Sequence, residues 1–115
     1  MGSAQRKNIH LHGAASDLVG AIRRLGGALE AEGQGELARW LQLSTLVVTG
    51  RIIEGRLPGE ALDRVEDTLL IVARWLGPQP AVLRGTQAVA TIRCWSRAPE
   101  RPPRVVRSAP TTEAP

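Results

Sequence analysis

Residues 58–78 read PGEALDRVEDTLLIVARWLGP, and this stretch decides the fold. Leu62, Val65, Leu69, Val72 and Leu76 recur at spacings of three, four, three and four, which lines one face of a helix with a coiled-coil-like seam. Pro58 stands at a helix start, where its missing N–H is not needed, and Gly77-Pro78 is a stop signal. Glu60, Asp63, Glu66 and Asp67 make the first half of this helix acidic, which complements the helix dipole and reads as a solvated face. Ile71 and Trp75, one turn apart, lie away from the seam.

Working outward, the pattern repeats. Helix two is expected over 36–54, with Leu37, Trp40, Leu41, Val47, Val48 and Ile52 on one broad face and Leu43, Leu46 and Ile53 opposite. A helix that is apolar on two sides is either the central helix of its domain or is covered by a second chain. In helix one, Ser16-Asp17 is an N-cap signal, and Leu18, Ile22, Leu25 and Leu29 form the stripe, which Leu11 and Ala15 extend backwards. Gly26 and Gly27 weaken that helix by roughly 1 kcal/mol each relative to Ala, and Gly33-Gln34-Gly35 ends it. Helix four is expected over 80–96, with Leu83, Thr86, Val89 and Ala90 inward and Trp95 off the seam. The fold class is therefore all-α: a small up-and-down four-helix bundle over 13–96. A flexible segment precedes it over 1–12, and a disordered basic tail rich in Pro and Arg follows over 97–115.

The 115-residue chain has one Cys, two His, three Trp and neither Tyr nor Phe. That excludes a disulfide scaffold and a four-coordinate zinc site. No apolar run reaches the ~18 residues of a membrane span, and no secretory h-region is present, so the expected address is cytoplasmic with no membrane contact. Met-Gly-Ser at the start falls short of a myristoylation signal because Arg6 stands where Ser or Thr is required.

The net charge is +4. From Gly13 to Ser96 nine Arg balance nine acids, so the excess belongs to the ends: Arg6 and Lys7 in front, and Arg97, Arg101, Arg104 and Arg107 against Glu100 and Glu113 behind. Fourteen of the fifteen cations are Arg, whose planar fork suits phosphate, although a GC-rich genome would produce the same bias. The candidate nucleic-acid contacts are Arg6, Lys7, Arg84, Arg93, Arg97, Arg101, Arg104 and Arg107. A solubilising role for the tail weighs equally.

Chemistry finds little purchase. His10-x-His12 alternates as a metal pair on an extended strand would, but no further ligand lies near it. Cys94 has only Arg near it in helix four and reads as a small buried hydrophobe rather than a nucleophile. No Gly-rich phosphate loop is present, and Ile53-Glu54-Gly55-Arg56 lies inside a continuous helical pattern. No catalytic residue, metal or cofactor is implied. What remains is surplus apolar surface at Leu43, Leu46, Ile53, Ile71 and Trp75, which reads as an oligomer interface.

Helices two and three resemble the accessory variability determinants of diversity-generating retroelements. The points of likeness are Ile52-Ile53-Glu54-Gly55 closing helix two and Asp67-x-x-Leu70-x-x-x-Arg74-Trp75 in helix three, with Trp95 closing helix four before a basic tail. The missing Tyr and Phe and a shorter hairpin between helices three and four depart from that pattern. The resemblance implies a non-enzymatic, ring-forming partner of a reverse transcriptase that engages RNA or DNA through basic surface. Two functions stand side by side: an oligomeric accessory protein that binds nucleic acid or a ribonucleoprotein partner, and a structural adaptor or small subunit of a protein complex with no nucleic-acid contact. Salt dependence separates them.

Overall fold

The computed structural model describes residues 3–97, with side chains from residue 6 onward. It is a four-helix bundle, with α1 over Ser3–Ala31, α2 over Gly35–Ile53, α3 over Gly59–Leu76 and α4 over Pro80–Arg97, and no strand among the described residues. Arg101, Arg104 and Arg107, with the rest of the expected tail beyond Arg97, lie outside them.

α1 packs along both α2 and α4 and also approaches α3 across the interior, whereas α2 and α4 are never within 8 Å of each other, Cα to Cα. The cross-section is thus a rhombus with α1 and α3 on its short diagonal. The cause is the α1 stripe: Leu11, Leu18, Ile22, Leu25 and Leu29 are all buried, as the spacing predicts, and Leu18, Leu25 and Leu29 are fully so. The α3 seam meets it, with Leu62, Val65, Leu69 and Val72 buried and Leu76 half-buried.

Three expectations need correction. α1 begins at Ser3 and not Ser16, so the segment expected to be loose over 1–12 is helical from residue 3. The capping signal at Ser16 is overridden because Leu11, Ala14 and Ala15 carry the buried stripe backwards. In α2 the buried arc is Ala38, Leu41, Ser44, Thr45, Val48 and Ile52. Trp40 and Val47, expected inside, are 60% and 46% exposed. Small residues on that arc let α1 and α3 come close, and Thr45 satisfies its hydroxyl locally by donating to the Leu41 carbonyl at 2.8 Å. In α4 the inward set is Ala81, Gly85, Ala88, Val89 and Ile92. Of the expected set only Val89 is buried, while Leu83, Thr86 and Ala90 are exposed.

Gly85 explains the rotation of α4. A Cβ there would stand 3.3 Å from Leu69 Cδ2 and 3.8 Å from Ala21 Cβ, so α4 reaches α1 and α3 only by presenting its smallest residues to them. The connections are tight. Gly33 and Gly55 adopt the left-handed conformation that closes α1 and α2, with Gln34 N–H donating to Leu29 O at 2.8 Å and Arg56 N–H to Arg51 O at 2.7 Å, the 6→1 bond of a Schellman motif in each case. Arg51 Nη1 then donates to Pro58 O at 3.0 Å, tying the end of α2 to the start of α3.

Two substitutions test this packing. Leu69→Asp would bury an unpaired charge in the seam and should abolish cooperative unfolding as followed by circular dichroism. Gly85→Val overpacks the α1–α3–α4 junction and should cost about 1–3 kcal/mol, lowering Tm by roughly 4–8 °C for each kcal/mol. A variant that melts like the wild type would refute the close approach at Gly85.

Candidate functional site

The surface divides between two pairs of helices. On the outside of α2, opposite the buried arc, stand Trp40, Leu43, Leu46, Val47 and Ile53, with Leu46 at 63% and Ile53 at 72% the most open of them. Residues 40–50 carry no charge at all. The α1 flank of this face is marked by Gln42 and Leu46, which line a groove with Val19, Ile22 and Arg23. Arg51 marks the α3 flank.

On α3, Asp63 and Glu66 reach Arg93 of α4; at about 100° per residue, Thr68 and Trp75 fall on the flank away from them and Ile71 points outward from the core. Ile71 is 47% and Trp75 57% exposed. Because α2 and α3 run antiparallel, Trp40 and Trp75 fall at the same level of the hairpin. The five expected interface residues therefore lie on one hairpin, and sequence reasoning missed that Trp40 and Val47 join them. Its error was to centre the buried face of α2 on bulk, whereas the helix turns small residues inward.

The α1/α4 half is different. α4 carries Arg84, Arg93 and Arg97 with no acid, and α1 carries Arg6, Lys7, Arg23 and Arg24 against Asp17 and Glu30. The N-terminal part of α1 meets the end of α4. The imidazole of His10 stacks on the indole of Trp95 with ring centroids 4.1 Å apart and planes 6° from parallel, and Trp95 is itself packed on the core. Arg6, Lys7 and Arg97 consequently share one pole. His10 and His12 sit on a helix, which replaces the extended-strand reading of that pair.

Between α1 and α4 runs a groove of about 720 Å³, floored by Gly13, Ala14, Gly20, Ala81 and Ala88. Arg24 and Arg84 line it, together with Asp17, Gln87 and Thr91. Arg24 was not among the expected contacts. It is sixty residues from Arg84 in the chain, and only the antiparallel packing of α1 on α4 brings the two together.

Arg93 is engaged otherwise. Its Nη1 donates to Asp63 Oδ1 and its Nη2 to Glu66 Oε1, both at 2.8 Å. The hydrogen bond to Asp63 raises its pKa above the usual value, burial opposes this, and the nearby charges of Glu66 and Asp63 add to it. This arginine is a strut between α3 and α4, so it leaves the set available to phosphate. The acidic half of α3, expected to be merely solvated, supplies both of its partners. Cys94, expected to be buried, is exposed.

Among the described residues no helix is long and apolar enough to cross a membrane. Comparison with family models, curated proteins and solved structures finds no match to this chain.

The His10–Trp95 stack carries its own test. Trp95→Ala removes the platform that holds the first turns of α1, so amide exchange over residues 6–12 should accelerate at least about tenfold while that of Leu18–Leu29 stays within about twofold. Unchanged exchange before Leu11 would show that the stack does not hold those turns.

Proposed function

We propose that this protein is a non-enzymatic, self-associating helical-bundle accessory protein that binds nucleic acid, or a ribonucleoprotein partner such as a reverse transcriptase, through its basic chain ends. The observation that carries this reading is the unequal charge of the two halves. α1 and α4 carry six Arg and Lys7 against Asp17 and Glu30, with Arg6, Lys7 and Arg97 at one pole, whereas residues 35–76 balance five Arg against six acids around an uncharged apolar strip on α2 over 40–50. Such a division lets one face bind copies of the chain while the other stays open to a polyanion. Arg6, Arg24, Arg84 and Arg97, followed in the sequence by Arg101, Arg104 and Arg107, offer separate guanidinium groups to successive phosphates without reading base edges. The likeness of helices two and three to accessory variability determinants agrees with this reading. A single chain with about four to six phosphate contacts binds weakly, and self-association adds avidity where the substrate reaches several copies.

The test is a fluorescence-anisotropy salt titration against mixed-sequence RNA and DNA. The log–log slope should scale with roughly 0.7 to 0.9 per phosphate contacted, and truncation after Ser96 should flatten it without changing oligomer mass. If neither nucleic acid binds at low salt, or truncation leaves affinity and slope unchanged, the nucleic-acid reading fails.

The alternative, a structural adaptor with no nucleic-acid contact, is favoured by one observation: Arg93 is already neutralised by carboxylates, and the apolar hairpin needs only a protein to cover it. Both readings require association. Trp75→Ala combined with Ile71→Ser should shift mass toward monomer by light scattering while helicity stays nearly constant. A wild-type monomer across a wide concentration range would remove the association common to both.

A further inference from the structure

We infer that the occupant of the apolar face is a second copy of this chain, with two α2 helices packed antiparallel about a two-fold axis between Leu46 and Val47. The inference deepens the self-association in the proposed function and rests on it. It starts from the way exposed residues are distributed around α2. At about 100° per residue the apolar arc runs from Ile53 and Leu46 on one flank to Val47 and Trp40 on the other. Its midline passes between Leu43 and Gly50. Gly50 is a helical glycine with open space where a Cβ would be, so nothing within the chain requires it there. It weakens α2 by roughly the cost of Gly against Ala in a helix, and on the midline it leaves a hollow for a partner's side chain.

Charge selects the orientation. Residues 40–50 are neutral, and Arg39 and Glu54, both exposed, bracket them close to the same midline. Parallel pairing would set Arg39 against Arg39 of the partner subunit and Glu54 against the partner's Glu54. Antiparallel pairing about the Leu46–Val47 axis sets Leu43 into the hollow at Gly50 of the partner subunit, Leu46 on the partner's Val47, and Arg39 beside the partner's Glu54. The symmetry then repeats each of these layers. Glu54 already has Arg56 3.4 Å away, but both side chains are over 60% exposed, so this weak pair is free to yield. Trp40 and Ile53 close the two flanks of the seam. Ile71 and Trp75, exposed on the neighbouring helix, are available to widen the contact toward the ~800 Å² per partner that a stable interface buries.

The experiment uses the full chain and measures dimer dissociation by sedimentation. Arg39→Glu alone sets a new carboxylate against Glu54 of the partner subunit and should raise Kd at least about tenfold. Glu54→Arg alone should do the same by setting two guanidinium groups against each other. The double variant R39E/E54R should restore wild-type affinity, and an equimolar mixture of the two single variants should form a heterodimer in preference to either homodimer, because unlike charges then meet across the seam. Circular dichroism checks that every variant is folded, and the exposed positions of both residues leave the core untouched. Association that neither single variant weakens, or that the double variant fails to restore, overturns this arrangement while self-association stands. A wild-type chain that stays monomeric overturns the inference and self-association together, leaving nucleic-acid binding to its own titration.

Discussion

Leu18, Leu25 and Leu29 of α1 have no solvent exposure, and α1, like α3, packs against all three other helices. Burying that stripe is the constraint on which the rest of the molecule depends. A fully buried leucine contributes roughly 1.5–3 kcal/mol, and three of them in one line oblige three helices to converge. α2 and α4 can flank α1 only by giving up bulk on their inward arcs, which is why Ala38, Ser44 and Thr45 face inward on α2 and Ala81, Gly85 and Ala88 on α4. Trp40 and Val47 of α2 and Leu83 of α4 are displaced outward by the same requirement, while Leu41, Ile52 and Ile92 keep their places in the core. The apolar face of α2 and the small-residue groove between α1 and α4 are two consequences of one packing solution.

Where hydrophobic contrast is high, the sequence is a sufficient guide. The seams of α1 and α3 and the turns at Gly33, Gly55 and Gly77 are legible because leucine and valine alternate with charge, and glycine falls where a positive φ is required. Legibility fails where the buried residue is small. A wheel weighted by hydrophobicity turns Trp40, Val47 and Leu83 inward because it ranks tryptophan, valine and leucine above serine, alanine and glycine. It takes no account of how closely two backbones approach. The start of α1 failed for another reason: Ser16 carries the local signal of a cap, and tertiary contacts made by Leu11 and Trp95 outweigh it.

The candidate surfaces show the same division. Leu43, Leu46, Ile53, Ile71 and Trp75 stand out in the sequence because each is a large apolar residue off the seam of its own helix. The placement of Arg24 beside Arg84, and the diversion of Arg93 to Asp63 and Glu66, depend on which helices are neighbours, and single-helix periodicity does not carry that information. The pairing of His10 with Trp95 belongs to the same class. The shared pole of Arg6, Lys7 and Arg97, by contrast, follows from an even number of antiparallel helices.

We propose that the two halves of the surface serve different partners: the α2/α3 hairpin another copy of the chain, and the α1/α4 half a polyanion. Hydroxyl-radical footprinting of side chains tests this directly, because reactive probes lie on both halves. Raising protein concentration should protect Trp40, Trp75 and Leu43 and leave Cys94 and His12 unchanged. Adding single-stranded RNA at fixed protein concentration should protect side chains near Arg6, Arg24 and Arg84 and leave Leu43 unchanged. Protection of one common set of residues under both conditions, or of neither half under either, would contradict the account.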